Sequence, residues 1–166
     1  MLATLSHETF SDQRWIFERK LDGVRCLSFR NGSEVRLLSR NQKKQNATYP
    51  ELTEAIASQS IDDFIVDGEI VAFEGRVTSF RRLQGRMQIK NANEARQTNI
   101  AVYCYLFDIL YLQGYDTTQL FLRDRKTLLK RVLSFKDPFA LHPTSEWQRG
   151  KLSQRSLPQG MGRSHR

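Results

Sequence analysis

The chain has 166 residues, 39% of them hydrophobic and 27% charged, a globular composition about one domain in length that excludes a wholly disordered chain. No apolar run approaches the roughly 20 residues a membrane-spanning helix needs. Met1-Leu2-Ala3-Thr4 also lacks the basic-then-apolar pattern of a secretory signal, so no membrane association and a cytoplasmic location are expected. The net charge of +8 points to polyanionic partners, but residues 147–166 hold five basic residues and no acid, and subtracting these leaves only +3 for residues 1–146.

Trp15-Ile16-Phe17 is a short apolar run ending in Glu18-Arg19-Lys20. Asp22-Gly23 predicts a turn, followed by a strand from Val24 to Arg30 that contains Cys26. Asn31-Gly32 predicts a hairpin because both residues tolerate positive φ, with a returning strand from Val35 to Ser39. Tyr49-Pro50-Glu51-Leu52 opens a predicted short helix to about Ser58, with Thr48 as its cap and Pro50 in its first turn. Phe64-Ile65-Val66 and Ile70-Val71-Ala72-Phe73 read as strand on either side of Asp67-Gly68-Glu69, taken as a turn, and Glu74-Gly75-Arg76 predicts another. Phe80 to Lys90 is basic and helical in character, and Ile100 to Leu112, with Cys104 and one charge at Asp108, is the candidate central strand.

Apolar residues at 121/122, 128/129 and 132/133 predict an amphipathic helix from Phe121 to Leu133. Phe139 to His142 starts a further strand, and after Trp147 all periodicity is lost. Hairpin strands mixed with a few helices make an α+β domain built on antiparallel sheet. Cys26 and Cys104 lie far apart inside apolar runs, which reads as buried thiols in a reduced compartment rather than a bridge. His7, His142 and His165 have no second His or Cys at metal-ligand spacing, so no structural zinc site is expected.

The stretch Glu18-Arg19-Lys20-Leu21-Asp22-Gly23-Val24-Arg25 is the most informative. A lysine at the end of an apolar strand, followed by a tight turn and an arginine on the next strand, can present its amine beside a phosphate. A lysine amine with an ordinary pKa is only about 0.1% neutral at physiological pH, so a nucleophilic lysine needs neighbouring cations or desolvation. This string resembles motif I, K-x-D-G-x-R, of the nucleotidyltransferases comprising ATP-dependent DNA ligases, RNA ligases and mRNA capping enzymes. Ser39-Arg40 followed by Tyr49-Pro50-Glu51-Leu52 is similar to the ligase segment after the first hairpin. Asp67-Gly68-Glu69-Ile70-Val71 matches motif III, and Tyr105-Leu106-Phe107-Asp108-Ile109-Leu110 matches the strand of motif IIIa. Order and spacing agree over about residues 1–142, and the opening is similar to ligase domains of the bacterial end-joining type.

The resemblance implies an ATP-dependent DNA ligase adenylation domain, with ATP and Mg²⁺ as cofactors, nicked double-stranded DNA as partner, and a monomeric state. Lys20 would attack the α-phosphate of ATP, form a lysyl–AMP phosphoramidate and release pyrophosphate, after which AMP passes to a DNA 5′-phosphate and the 3′-hydroxyl displaces it. Such chemistry rests on positioning and charge stabilisation. Glu18 would recognise the adenine edge, Arg25 and Arg40 the sugar and phosphates, and Phe107 would stack on the ring. Glu69 would accept from the ribose 2′-hydroxyl or help hold the metal. Asp22 and Gly23 serve turn geometry. Only 19 residues precede Lys20, which disfavours the extra N-terminal domain of NAD⁺-dependent ligases.

The later family motifs, E-G-[hydrophobic]₂-x-K and K-x-K, are missing from the 166 residues. Residues 1–146 are therefore expected to be the N-terminal part of the adenylation domain, and residues 147–166 a disordered basic tail. Permitted codons for residues 160–166 read GWEGVIA in a frame displaced by one base, so a frameshift is expected to explain the tail. Two other readings stand beside the ligase: a non-catalytic nucleotide- or DNA-binding module, and an RNA-ligating or capping relative.

Overall fold

The structure, a computed structural model, describes residues 15–145, so the expectations for the tail and its reading frame lie outside the described residues. In chain order the elements are β1 (Phe17–Glu18), β2 (Val24–Asn31), β3 (Glu34–Ser39), α1 (Pro50–Ala57), β4 (Asp63–Glu74) and β5 (Val77–Thr78). Then follow α2 (Phe80–Met87), α3 (Ala92–Gln97), β6 (Val102–Leu112), β7 (Tyr115–Asp116), α4 (Leu122–Val132), β8 (Phe139–Leu141) and β9 (Thr144–Ser145). The main sheet runs β3-β2-β4-β6-β7, with β5 added to β4 and β8 added parallel to β6. The other pairings of this sheet are antiparallel, as the α+β reading expects. A separate two-stranded ribbon joins β1 to β9.

Alternation along the strands divides the sheet into two faces. Cys26, Phe64, Val66, Ile70, Ala72, Cys104, Leu106 and Ile109 point to one face and bury against Leu52 and Ile56 of α1, Leu83 of α2 and Leu129 of α4. Both cysteines are buried and unbridged there. Val71, Tyr105 and Ala140 form a smaller cluster on the opposite face, with Leu21, Phe73 and Tyr103 packed beside them.

Buried guanidiniums tie the helices to one another and to the sheet. Arg86 of α2 is 2% exposed and reaches Glu51 of α1 at 2.7 and 2.8 Å, the Thr48 and Ile100 carbonyls at 3.0 Å, and the Thr98 hydroxyl. Arg30 of β2 donates to the Ile56, Gln59 and Ile61 carbonyls at the C-terminal end of α1, where a cation favours the helix dipole. Asp108 of β6 holds Arg125 of α4 through two bonds of 2.7 and 2.9 Å, which locks α4 across the central strand.

Several local expectations are corrected. Asp67-Gly68-Glu69 is not a turn but the middle of the 12-residue strand β4. Gly68 is required there by close packing, since a Cβ would lie 2.9 Å from both the Tyr105 carbonyl and a Leu106 methyl. The apolar strand ending before Lys20 and the strand after the Asp22-Gly23 turn do not pair with each other, because β1 pairs with β9. Thr48 does not cap α1; its hydroxyl donates to the Ile89 carbonyl, and the residue before Pro50 is Tyr49, which makes no side-chain cap. The β2–β3 hairpin turns on Gly32-Ser33, with positive φ at Gly32 alone, the pattern of a type II′ turn rather than one centred on Asn31. The helical character expected from Phe80 to Lys90 ends at Met87, and a short helix not predicted from sequence, α3, follows with Asn91 as side-chain cap.

Candidate active site

The sheet face away from the helices collects most of the predicted chemistry-bearing residues, and strand register explains why. Arg25 of β2 stands opposite Glu69 of β4, which in turn stands opposite Tyr105 of β6. Asp67, two residues before Glu69, shares its face by alternation. The Arg25 guanidinium crosses to Asp67, with Nε 3.1 Å from both carboxylate oxygens and a terminal nitrogen 2.5 Å from Oδ2. Asp67 is almost wholly buried while Arg25 keeps about a third of its side chain exposed, so the pair forms a fixed, charge-matched floor.

Glu69 is half-buried on this floor. Burial pushes its carboxyl up to about 7, against the downward pull first of Lys20 and then of Arg25, while Asp67 and Asp22 add to the rise. Of the neighbouring charges, Lys20 pulls this carboxyl down most strongly. Lys20 itself is exposed and forms no hydrogen bond or ion pair among the described residues. Its approach is set by a tight crossing. A Cβ at Gly23 would lie 2.2 Å from the Ile70 carbonyl, so the chain after Lys20 passes β4 at a distance only glycine allows. Asp22 secures the same turn by accepting from the Phe80 amide at the start of α2.

Phe107 owes its position to a β-bulge. The β4–β6 register passes from Asp67 opposite Asp108 to Gly68 opposite Leu106, leaving Phe107 as the extra, unpaired residue. Bulges bend a strand and re-aim a side chain. The half-buried Phe107 ring meets His142 edge-on at 6.4 Å between centroids. Its carbonyl, released from the ladder, accepts from Lys126 Nζ of α4 at 2.7 Å. The same ammonium donates to Glu18 Oε1 at 2.5 Å, so Lys126 joins β1, β6 and α4.

His142 ties the segment leading to Lys20 from the other side. Its Nε2 lies 2.9 Å from the Arg19 carbonyl and its Nδ1 3.0 Å from the Pro143 carbonyl, with Glu18 Oε1 3.9 Å away. A neutral ring can donate to only one of those carbonyls. The structure thus brings Glu18, Lys20, Arg25, Glu69 and Phe107 to one face. Arg40 is different: it follows β3 one register step beyond Ser39, which pairs with Cys26, and its exposed side chain has no hydrogen bond or ion pair among the described residues.

Two residues of this site were missed from sequence, His142 and Lys126. His142 carries no local signal. Lys126 does: together with Leu122, Leu129 and Leu133 it falls at offsets of four, seven and eleven, on the apolar stripe of α4, where an ordinary solvated lysine would not sit. Among the described residues no group of three or more His, Cys, Asp or Glu side chains is arranged to hold a metal ion unaided.

The chain matches over residues 1–159 the family model described as an ATP dependent DNA ligase domain. It is 35% identical over 121 residues to a protein named "Probable DNA ligase" from Opitutus terrae, a match covering 72% of this chain and 12% of that protein. Its fold superposes on mycobacterial DNA ligase D complexed with ATP and MES with a TM-score of 0.59 and 26% identity, covering 78% of this chain and 39% of that one. The ligase domain of M. tuberculosis LigD gives a TM-score of 0.54 and 29% identity, covering 69% and 35% respectively. The chain spans 12–25% of the length of the curated relatives it matches.

Proposed function

This chain belongs to the ATP-dependent DNA ligase domain family, and from that premise we propose that its open sheet face binds ATP and presents Lys20 as the nucleophile of a ligase. The observation that carries the proposal is that Arg25 stands opposite Glu69, beside an aromatic residue displaced from the ladder by a bulge, with Lys20 the strongest charge drawing that carboxyl down. In this reading the Lys20 Nζ lone pair attacks the α-phosphorus, a P–N bond forms, and the bond to the bridging oxygen breaks. Pyrophosphate departs and the spare amine proton passes to solvent. AMP then moves to the 5′-phosphate of nicked double-stranded DNA, and the 3′-hydroxyl displaces it to close the strand, the sealing step of DNA repair and recombination.

Phe107 supplies the wall on which adenine stacks, and Glu18 accepts from the adenine edge. Glu69 accepts from the ribose 2′-hydroxyl. Arg25, fixed by Asp67, and Arg40 face the sugar and phosphates. Mg²⁺ usually binds through one or two carboxylates together with substrate phosphates, and Glu69 fits that pattern where a site built from protein alone would not. When bound, the metal would neutralise charge on the phosphates. That both solved structures and the curated relative named above carry DNA ligase names supports DNA over the RNA-directed readings.

The test is incubation with α-labelled ATP and Mg²⁺, followed by denaturing electrophoresis. A faint label, well below one AMP per chain and absent from Lys20→Ala, is expected of the 166-residue polypeptide, together with no sealing of nicked DNA. Neither E-G-[hydrophobic]₂-x-K nor K-x-K occurs in its sequence, and losing one charge-stabilising group costs about 10²–10³ in rate. A label that survives Lys20→Ala contradicts the assignment of the nucleophile. Robust labelling contradicts the expectation that these residues form only the N-terminal part of an adenylation domain.

A further inference from the structure

We infer that Lys126 is a positioning residue for base selection, resting on the nucleotide-site reading above. Its ammonium is bonded to two groups that reading places on the purine, the carboxylate of Glu18 at 2.5 Å and the backbone of Phe107 at 2.7 Å. Its side chain is 11% exposed while that of Glu18 keeps 30%, so the cation is withdrawn from solvent and the carboxylate still opens onto the site. β1 is a two-residue strand paired only with β9 and outside the main sheet. Where Glu18 stands relative to Phe107 is therefore set by side-chain ties: His142 lies beside both, and Lys126 hydrogen-bonds to both.

The carbonyl of Phe107 is available to Lys126 because the bulge frees it from the ladder. The feature that re-aims the ring thus also provides the anchor for the cation that orients Glu18. A carboxylate held in this way accepts from the exocyclic amine of adenine and opposes the carbonyl oxygen that guanine carries at the same edge. Without Lys126, the Glu18 carboxylate would lose its direction. The consequence is a loss of discrimination between bases rather than a uniform loss of nucleotide affinity.

Equilibrium binding of ATP and GTP to the 166-residue chain tests this, with thermal melts recorded on the same samples. Lys126→Met is expected to lower the ATP-to-GTP affinity ratio about tenfold, the size of one charge-assisted bond, with GTP affinity nearly unchanged. Lys126→Arg, which can reach both oxygens, should restore part of the ratio and provides the comparison if the methionine variant melts below the assay temperature. Glu18→Gln should lower the ratio similarly, and adding Lys126→Met to it should lower the ratio no further. Equal losses for ATP and GTP, or an unchanged ratio in Lys126→Met, would overturn the inference while leaving the nucleotide site standing. A wild-type chain that binds neither nucleotide would overturn the site reading, and the inference with it.

Discussion

Glu69 sits where burial and neighbouring charge pull a carboxyl in opposite directions, and burial wins, bringing it to about 7. The folded chain therefore holds this proton more tightly than the unfolded chain does. The stability this group contributes is complete below its ordinary value of 4.5 and is lost as pH rises through about 7. Glu69→Gln should accordingly gain stability relative to wild type between about pH 5 and about pH 8, as urea denaturation at both ends of the window would show. A difference that does not change with pH would contradict the assignment. Because Lys20 is the largest influence drawing this carboxyl down, Lys20→Met should move the Glu69 titration to higher pH, read from its carboxyl carbon by NMR. An unmoved titration would place the Lys20 ammonium away from the site. At this scale the candidate chemistry was legible where it lies in contiguous strings, as with Glu18, Lys20 and Arg25 around the Asp22-Gly23 turn. His142 was not, since its role depends on a carbonyl 123 positions earlier in the chain.

Among the elements, strands were read more surely than their connections. A near-continuous apolar and aromatic run with one charge made Ile100–Leu112 recognisable as a central strand, and it is β6. The Asp67-Gly68-Glu69 string was misread because Asp and Gly favour turns, whereas burial and a close crossing require them in mid-strand. The bulge at Phe107 leaves no trace in an alternating pattern, because it arises from register between two strands rather than from either one. Gly23 ties this scale to the site. A methyl there meets the Ile70 carbonyl at 2.2 Å, backbone against backbone, so Gly23→Ala should cost about 3 kcal/mol. It should also release the Lys20–Glu69 coupling, since the crossing itself must open. Arg86 makes a comparable prediction for the helical layer. Arg86→Met leaves the Thr48 and Ile100 carbonyls without their donor and Glu51 without its cation, and about 3 kcal/mol should be lost in urea titration at an unchanged m-value.

Across the whole molecule, one sheet serves two purposes. Its helix-covered face is a continuous apolar core, and its other face carries a short apolar cluster beside a charged floor. Lys20, the proposed nucleophile, follows β1 of a ribbon outside the main sheet, and the segment leading to it is held by Lys126 and His142. Overall architecture was legible in the sequence because strand and helix periodicities are local, whereas the ribbon pairs residues 17–18 with 144–145 and has no local signature. The central claim is that the Lys20 amine faces the α-phosphate of a nucleotide whose base lies against Phe107. A crystal structure of the chain with a non-hydrolysable ATP analogue tests it most directly. The account predicts adenine stacked on the Phe107 ring, its amine towards Glu18, and the α-phosphate beside Lys20 Nζ. A nucleotide bound on the helix-covered face, or one whose phosphates lie away from Lys20, would contradict it.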